Sequence, residues 1–204
     1  ADVLLLTSAG TDISCLDASL PSNPAWNERI RALPLSCLDH PAQLDHYLNT
    51  TAQAAHLIVV RLLGSRGHWS YGLEQLQRWC SEAKQRQLIV LAGTADQSNE
   101  LHGLGSCSVE LADQLSALLR EGGIDNMGRF LGALEALLEG TPPSPDDVEV
   151  VPCPDPMPWD WRDEAGAAVG IVLYRAQTPA SLAHTILLPM HVIIYDTKVW
   201  WGRE

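Results

Sequence analysis

The chain has 204 residues, enough for one domain or two small ones with a buried core. Apolar residues make up 46 % and charged residues 19 %, so most of it reads as globular. A formal net charge of −12 and the lack of any Lys or Arg block argue against a nucleic-acid surface.

The first residues, Ala-Asp-Val-Leu-Leu-Leu-Thr, read as a strand rather than a signal peptide. Val3 to Leu6 end in the small-residue turn Thr7 to Asp12, which could cap a short helix. Neither GxGxxG nor GxxxxGK[ST] occurs there, so an ordinary strand-to-helix turn is favoured over a phosphate cradle. Because the chain does not open with Met, we expect it to start inside a longer protein. Leu33 to Leu38 read as a second strand carrying Pro34. Pro41 suits the first position of a helix to about Ala55, with Leu44, Tyr47 and Leu48 at core spacing.

The run Leu57 to Val60 has the pattern of a strand buried on both faces, with Arg61 interrupting it. A glycine-hinged loop follows, rich in basic and aromatic groups, then a helix from about Tyr71 to Lys84 with Leu73, Leu76 and Trp79 on its buried side. Leu88 to Leu91 is the next strand. Strand and helix alternation at these spacings predicts an α/β fold, a Rossmann- or flavodoxin-like parallel sheet over about 1–104. Helices follow over Ser108 to Glu121 and Ile124 to about Glu139, separated by Gly122-Gly123. The expected division is an amino-terminal α/β domain with its helical extension (1–140), a proline-rich acidic linker (141–165) and the start of a second α/β unit (166–204). Residues 141–158 hold seven of the thirteen prolines, the composition of an extended linker.

Ligands of open α/β sheets bind at the carboxyl ends of strands, which directs attention to the loop after Val60. Arg61 and Arg66 carry planar forks suited to carboxylates, and Trp69 and Tyr71 suit a flat ligand. The competing reading is that the aromatics pack the loop onto the sheet while Arg61 pairs with a nearby acid. His68 and Glu74 are the local candidates for holding a metal or moving a proton, although neither has a second ligand at helical spacing. GxSxG is absent and Cys107 has no adjacent His, which disfavours hydrolase chemistry. The five cysteines are odd in number and form no CxxC pair. They read as reduced thiols of a cytoplasmic protein rather than zinc ligands or a secreted disulfide framework. No apolar run approaches the length of a membrane span.

The stretch VRLLGSRGHWSYGLE, residues 60–74, resembles the "VRLLGG…W.YG.E" stretch near the amino end of the cobaltochelatase large subunit. That family sits within the wider group of cobalt and magnesium chelatase large subunits. Two further motifs agree in order: Glu121-Gly-Gly-Ile-Asp-Asn-Met127 after a helix, and Val169-Gly-Ile-Val-Leu-Tyr174-Arg175-Ala176 after the linker. The resemblance covers roughly 1–176; residues 177–204 depart from the family pattern. It implies an amino-terminal fragment of a macrocycle-binding subunit that inserts cobalt into hydrogenobyrinic acid a,c-diamide during aerobic cobalamin synthesis. Cobalt(II) would be the substrate metal. ATP and Mg would be used by two smaller partner subunits, one an AAA+ ATPase. Arg61, Gly64, Arg66, Trp69, Tyr71, Tyr174 and Arg175 then become candidate contacts to the macrocycle, with His68 and Glu74 near the metal. Other readings stay open: a non-catalytic docking module, a magnesium-chelatase relative preferring a porphyrin, or an unrelated flavodoxin-like small-molecule binder.

Overall fold

The apolar runs align as one sheet because each is flanked by segments that cover it on both faces. The computed structural model describes residues 1–152. Strands β1 (Val3–Thr7), β2 (Ile30–Pro34), β3 (Leu57–Leu62) and β4 (Gln87–Ala92) are all parallel and run in the order β2-β1-β3-β4. The parallel α/β architecture read from the sequence is therefore present. The order is flavodoxin-like, with the direction of strand progression reversing between β1 and β3.

Alternate side chains sort into two cores. Val3, Leu5, Leu57, Val59, Ile89 and Leu91 face helices α1 (Gly10–Ser19), α5 (Val109–Glu121) and α6 (Ile124–Leu138). Leu4, Leu6, Ile58, Val60, Leu88 and Val90 face helices α2 (Pro41–Asn49) and α3 (Ser70–Ser81). Burial of both faces is what allows β1 and β3 to be apolar along most of their length. Leu73, Leu76 and Trp79 are buried on α3 as their spacing requires. Ser108 caps α5 by accepting from the Leu111 N–H, and Gly122 and Gly123 turn the chain into α6 at φ 67° and 86°.

Three boundaries differ from expectation, each for a local reason. The second strand is Ile30–Pro34 rather than 33–38; β1 offers only five partners, and its pairing ends at Thr7↔Pro34. Leu35–Leu38 curl into a 3-10 turn that buries Leu35 and Leu38. α2 stops at Asn49 instead of near Ala55, since the Thr50 hydroxyl donates to the His46 carbonyl and replaces the helix bond there. Arg61 does not interrupt β3, which continues through it to Leu62.

No fifth strand covers β4. A crossover from Gly93 to Cys107, containing the short helix α4 (Ser98–Leu101), lies along its open edge, where Ser106 bonds both the N–H and the carbonyl of Leu88. Residues just before Pro152 return to α6. Val148 is buried, and the Asn126 side-chain amide makes two 2.8 Å bonds to the backbone of Val151. The expected second α/β unit, with Tyr174 and Arg175, lies outside the described residues.

Phe130 of α6 is fully buried in the first core, whereas Leu63 at the sheet edge is 47 % exposed. Phe130→Ala is expected to lower unfolding free energy by about 3–5 kcal/mol. Leu63→Ala should change it by about 0.5 kcal/mol or less. Denaturant unfolding of both variants measures the contrast.

Candidate functional site

The crevice at the carboxyl ends of β1 and β3, the reversal point of the sheet, is the place where this architecture binds ligands. Here it is filled from within. Thr7 and Arg61 are register partners on adjacent strands, and the Asp12 carboxylate in the first turn of α1 bridges them. Asp12 accepts from the Thr7 hydroxyl at 2.6 Å through Oδ2 and from Arg61 Nη1 through Oδ1. Asp12 and Arg61 are 1 % and 5 % exposed. Burial pushes the Asp12 carboxyl above its ordinary value, and Arg61 and Thr7 pull it partly back. The α1 amino terminus therefore already faces a carboxylate. Of the two readings of Arg61, the geometry displays the pairing with an acid; the partner, Asp12, is one that sequence reasoning had treated only as a turn residue.

The loop from Leu63 to Tyr71 projects beyond this plug. Gly64 has φ 121°, and a Cβ there would stand 2.9 Å from the His68 imidazole, so the loop folds over a position that only glycine fits. Ser65 Oγ and His68 Nδ1 lie 3.2 Å apart, and the Arg66 N–H donates to Glu100 Oε1 of α4 at 3.2 Å. The Arg66 guanidinium is exposed and has no partner among the described residues. Trp69 is half-buried against the α2–α3 core, seated on Gly72, where a Cβ would come within 2.2 Å of the indole. The Tyr71 hydroxyl donates to both Asp45 oxygens at 2.8 and 3.0 Å, and that bond raises its pKa.

The candidates thus separate. Arg66, His68 and Tyr71 remain outward, with the exposed Leu63 beside the loop, whereas Arg61 is turned inward and Trp69 serves as packing. Glu74 is exposed on the second turn of α3. Among the described residues no three His, Cys, Asp or Glu side chains converge on a metal position. Burial pushes the Cys15, Cys80 and Cys107 thiols up, away from nucleophilic character. Asp45 and Glu100, which set the outward loop residues, were not singled out from sequence; they lie 26 and 34 positions from Tyr71 and Arg66.

No family model matches the chain. Over 140 residues, 69 % of the chain, it is 33 % identical to the aerobic cobaltochelatase subunit CobN of a Sinorhizobium species. It is 30 % identical over 135 residues to the CobN subunit of Pseudomonas aeruginosa. The chain is a CobN-like cobaltochelatase sequence. It spans 11 % of the length of each of these curated relatives. The catalytic subunit of cobaltochelatase from Mycobacterium tuberculosis has a similar fold, with a TM-score of 0.55 at 19 % identity. That likeness covers 94 % of this chain and 16 % of the other. No helix of the described residues in this CobN-like chain is long and apolar enough to cross a membrane.

The seating of Trp69 on Gly72 gives a direct check. Gly72→Ala must expel the indole and should cost about 1–3 kcal/mol of stability, with a red-shifted tryptophan emission. Gly132→Ala, at a helix position where a Cβ meets nothing within 4 Å, serves as the tolerated control.

Proposed function

We infer that this chain contributes a binding module to the large subunit of an ATP-dependent cobaltochelatase. In that reading the assembly inserts cobalt(II) into a corrin-ring precursor, hydrogenobyrinic acid a,c-diamide, in aerobic cobalamin synthesis. Two smaller subunits, one an AAA+ ATPase, hydrolyse ATP with Mg, and the whole works in the cytoplasm. The observation that carries the reading is the identity of about a third with two CobN subunits along most of the chain.

Within the assembly, the part assigned to this domain is the loop edge from Leu63 to Tyr71. Its scaffold is rigid: the strand beneath is fully buried, Gly64 and Gly72 admit close packing, and Asp45 and Glu100 hold Tyr71 and Arg66. The outward groups are an unpaired guanidinium, an imidazole, an apolar side chain and an aromatic ring. Such a set suits a flat, largely apolar molecule with carboxylate or amide arms. Arg66 would meet an arm and Leu63 and Tyr71 the ring face, while Arg61 holds the platform. The division into a 1–140 domain, a linker and a second unit belongs to the same proposal, with Tyr174 and Arg175 on the second unit.

A second reading, a docking module for the partner subunits that does no chemistry, is favoured by how much of the loop is consumed internally. Macrocycle binding in the full-length subunit, followed by fluorescence quenching, separates the two. Arg66→Ala is expected to weaken binding about tenfold, the order of one charge-assisted hydrogen bond. Unchanged affinity in Arg66→Ala and in Leu63→Ala would leave the docking reading, which a pull-down with the partner subunits then tests.

A further inference from the structure

His102 is fully buried yet lies in the crossover that stands in for a missing fifth strand. The outward N–H groups of β4 need acceptors that a neighbouring strand would ordinarily supply. Ser106 Oγ accepts from Leu88, and His102 Nε2 accepts from Ala92 at 3.2 Å. The Ser116 hydroxyl of α5 lies 2.9 Å from the same ring nitrogen. A backbone N–H can bond only a ring nitrogen that carries a lone pair, which assigns the proton to Nδ1. Nδ1 itself is buried with no partner among the described residues.

A second proton therefore has one place to go. At Nε2 it removes the acceptor, sets an N–H⁺ against the Ala92 N–H, and leaves a buried cation without a lone pair facing it. The charged ring fits only if the crossover opens. That crossover also carries Glu100, whose carboxylate holds the Arg66 N–H of the candidate loop. It also supplies the Leu104 carbonyl that accepts from Gln77 of α3.

We propose that the crossover from Gly93 to Cys107 is a proton-operated latch on the 63–72 loop: protonation of His102 at Nε2 releases the Ala92 edge and, with it, the Glu100 clamp on Arg66. The latch does not depend on what the loop binds. On α5, Asp113 favours the second proton and Arg120 opposes it. Packed on the other side, β4 has no titratable side chain between Gln87 and Ala92. Asp96 and Glu100 are the crossover's own charges. Burial is the largest influence and draws the imidazole below its ordinary value of 6.5. A group whose folded value is depressed binds its proton more readily in the open form. The closed latch is thus at full strength above about pH 6.5 and weakens as pH falls through the lowered value.

Hydrogen–deuterium exchange on the intact protein, corrected for intrinsic exchange, tests this in peptides spanning 60–70 and 90–104. Between about pH 7.5 and about pH 5, protection in both segments is expected to fall together by about tenfold or more. His102→Gln, whose Oε1 accepts the Ala92 N–H without titrating, should hold protection constant with pH. Glu100→Ala should uncouple the loop, leaving only the 90–104 peptide pH-dependent. Protection that persists to about pH 5 in the parent overturns the latch, as does equal loosening in His102→Gln. A loop that still follows pH in Glu100→Ala overturns the coupling to Arg66.

Discussion

A single buried carboxylate, Asp12, joins three elements at the point where the sheet reverses direction. It receives hydrogen bonds from Thr7 on β1 and Arg61 on β3 while standing in the first turn of α1. Taking both charges out of water costs several kcal/mol, which only close pairing and full hydrogen bonding offset. Whatever such a pair adds to net stability, removing either partner strands the other charge. Its position matters more than its strength, because it fills the crevice where a flavodoxin-like sheet would otherwise receive a ligand. The absence of a phosphate signature in Thr7 to Asp12 and the presence of this plug agree.

From that constraint the loop follows. With Arg61 directed inward, the loop's remaining cation, Arg66, projects outward, and its backbone is fixed by Glu100. Tyr71 is fixed by Asp45, and Trp69 rests on Gly72. The result is a firm rim above a sealed crevice rather than an open pocket. A rim of this kind offers a face to something large, such as a macrocycle edge or a partner subunit, more readily than it encloses something small. The likeness to CobN subunits gives that face a setting. The similar fold of the Mycobacterium tuberculosis catalytic subunit, at 19 % identity, shows that the architecture persists where most side chains differ.

Much of the architecture was legible because it rests on local pattern. Buried strands announce themselves by continuous apolar runs, α3 by Leu73, Leu76 and Trp79, and the α5–α6 corner by its paired glycines. Boundaries failed where a side chain competed with the backbone, as at Thr50, or where pairing with a neighbour set the limit, as at Pro34. The site was less legible for a different reason. Arg61 stood out as a charge in an apolar run, but its partner lies 49 positions away and becomes its neighbour only once β1 and β3 are known to pair. Asp45, Glu100 and His102 likewise act through contacts that strand order creates. The 60–74 motif marked a family from sequence; which of its residues face outward is a property of the fold.

The central claim is that Asp12 and Arg61 act as one unit holding the crevice shut beneath the loop. A double-mutant cycle with Asp12→Ala and Arg61→Met, read by denaturant unfolding of the domain, measures it most directly. Each single change is expected to cost about 3–5 kcal/mol, with the double variant no worse than the poorer single one, a coupling of at least about 2 kcal/mol. Costs that simply add, within about 0.5 kcal/mol, would mean the two side chains act independently and that the plug at the reversal point does not organise the loop above it.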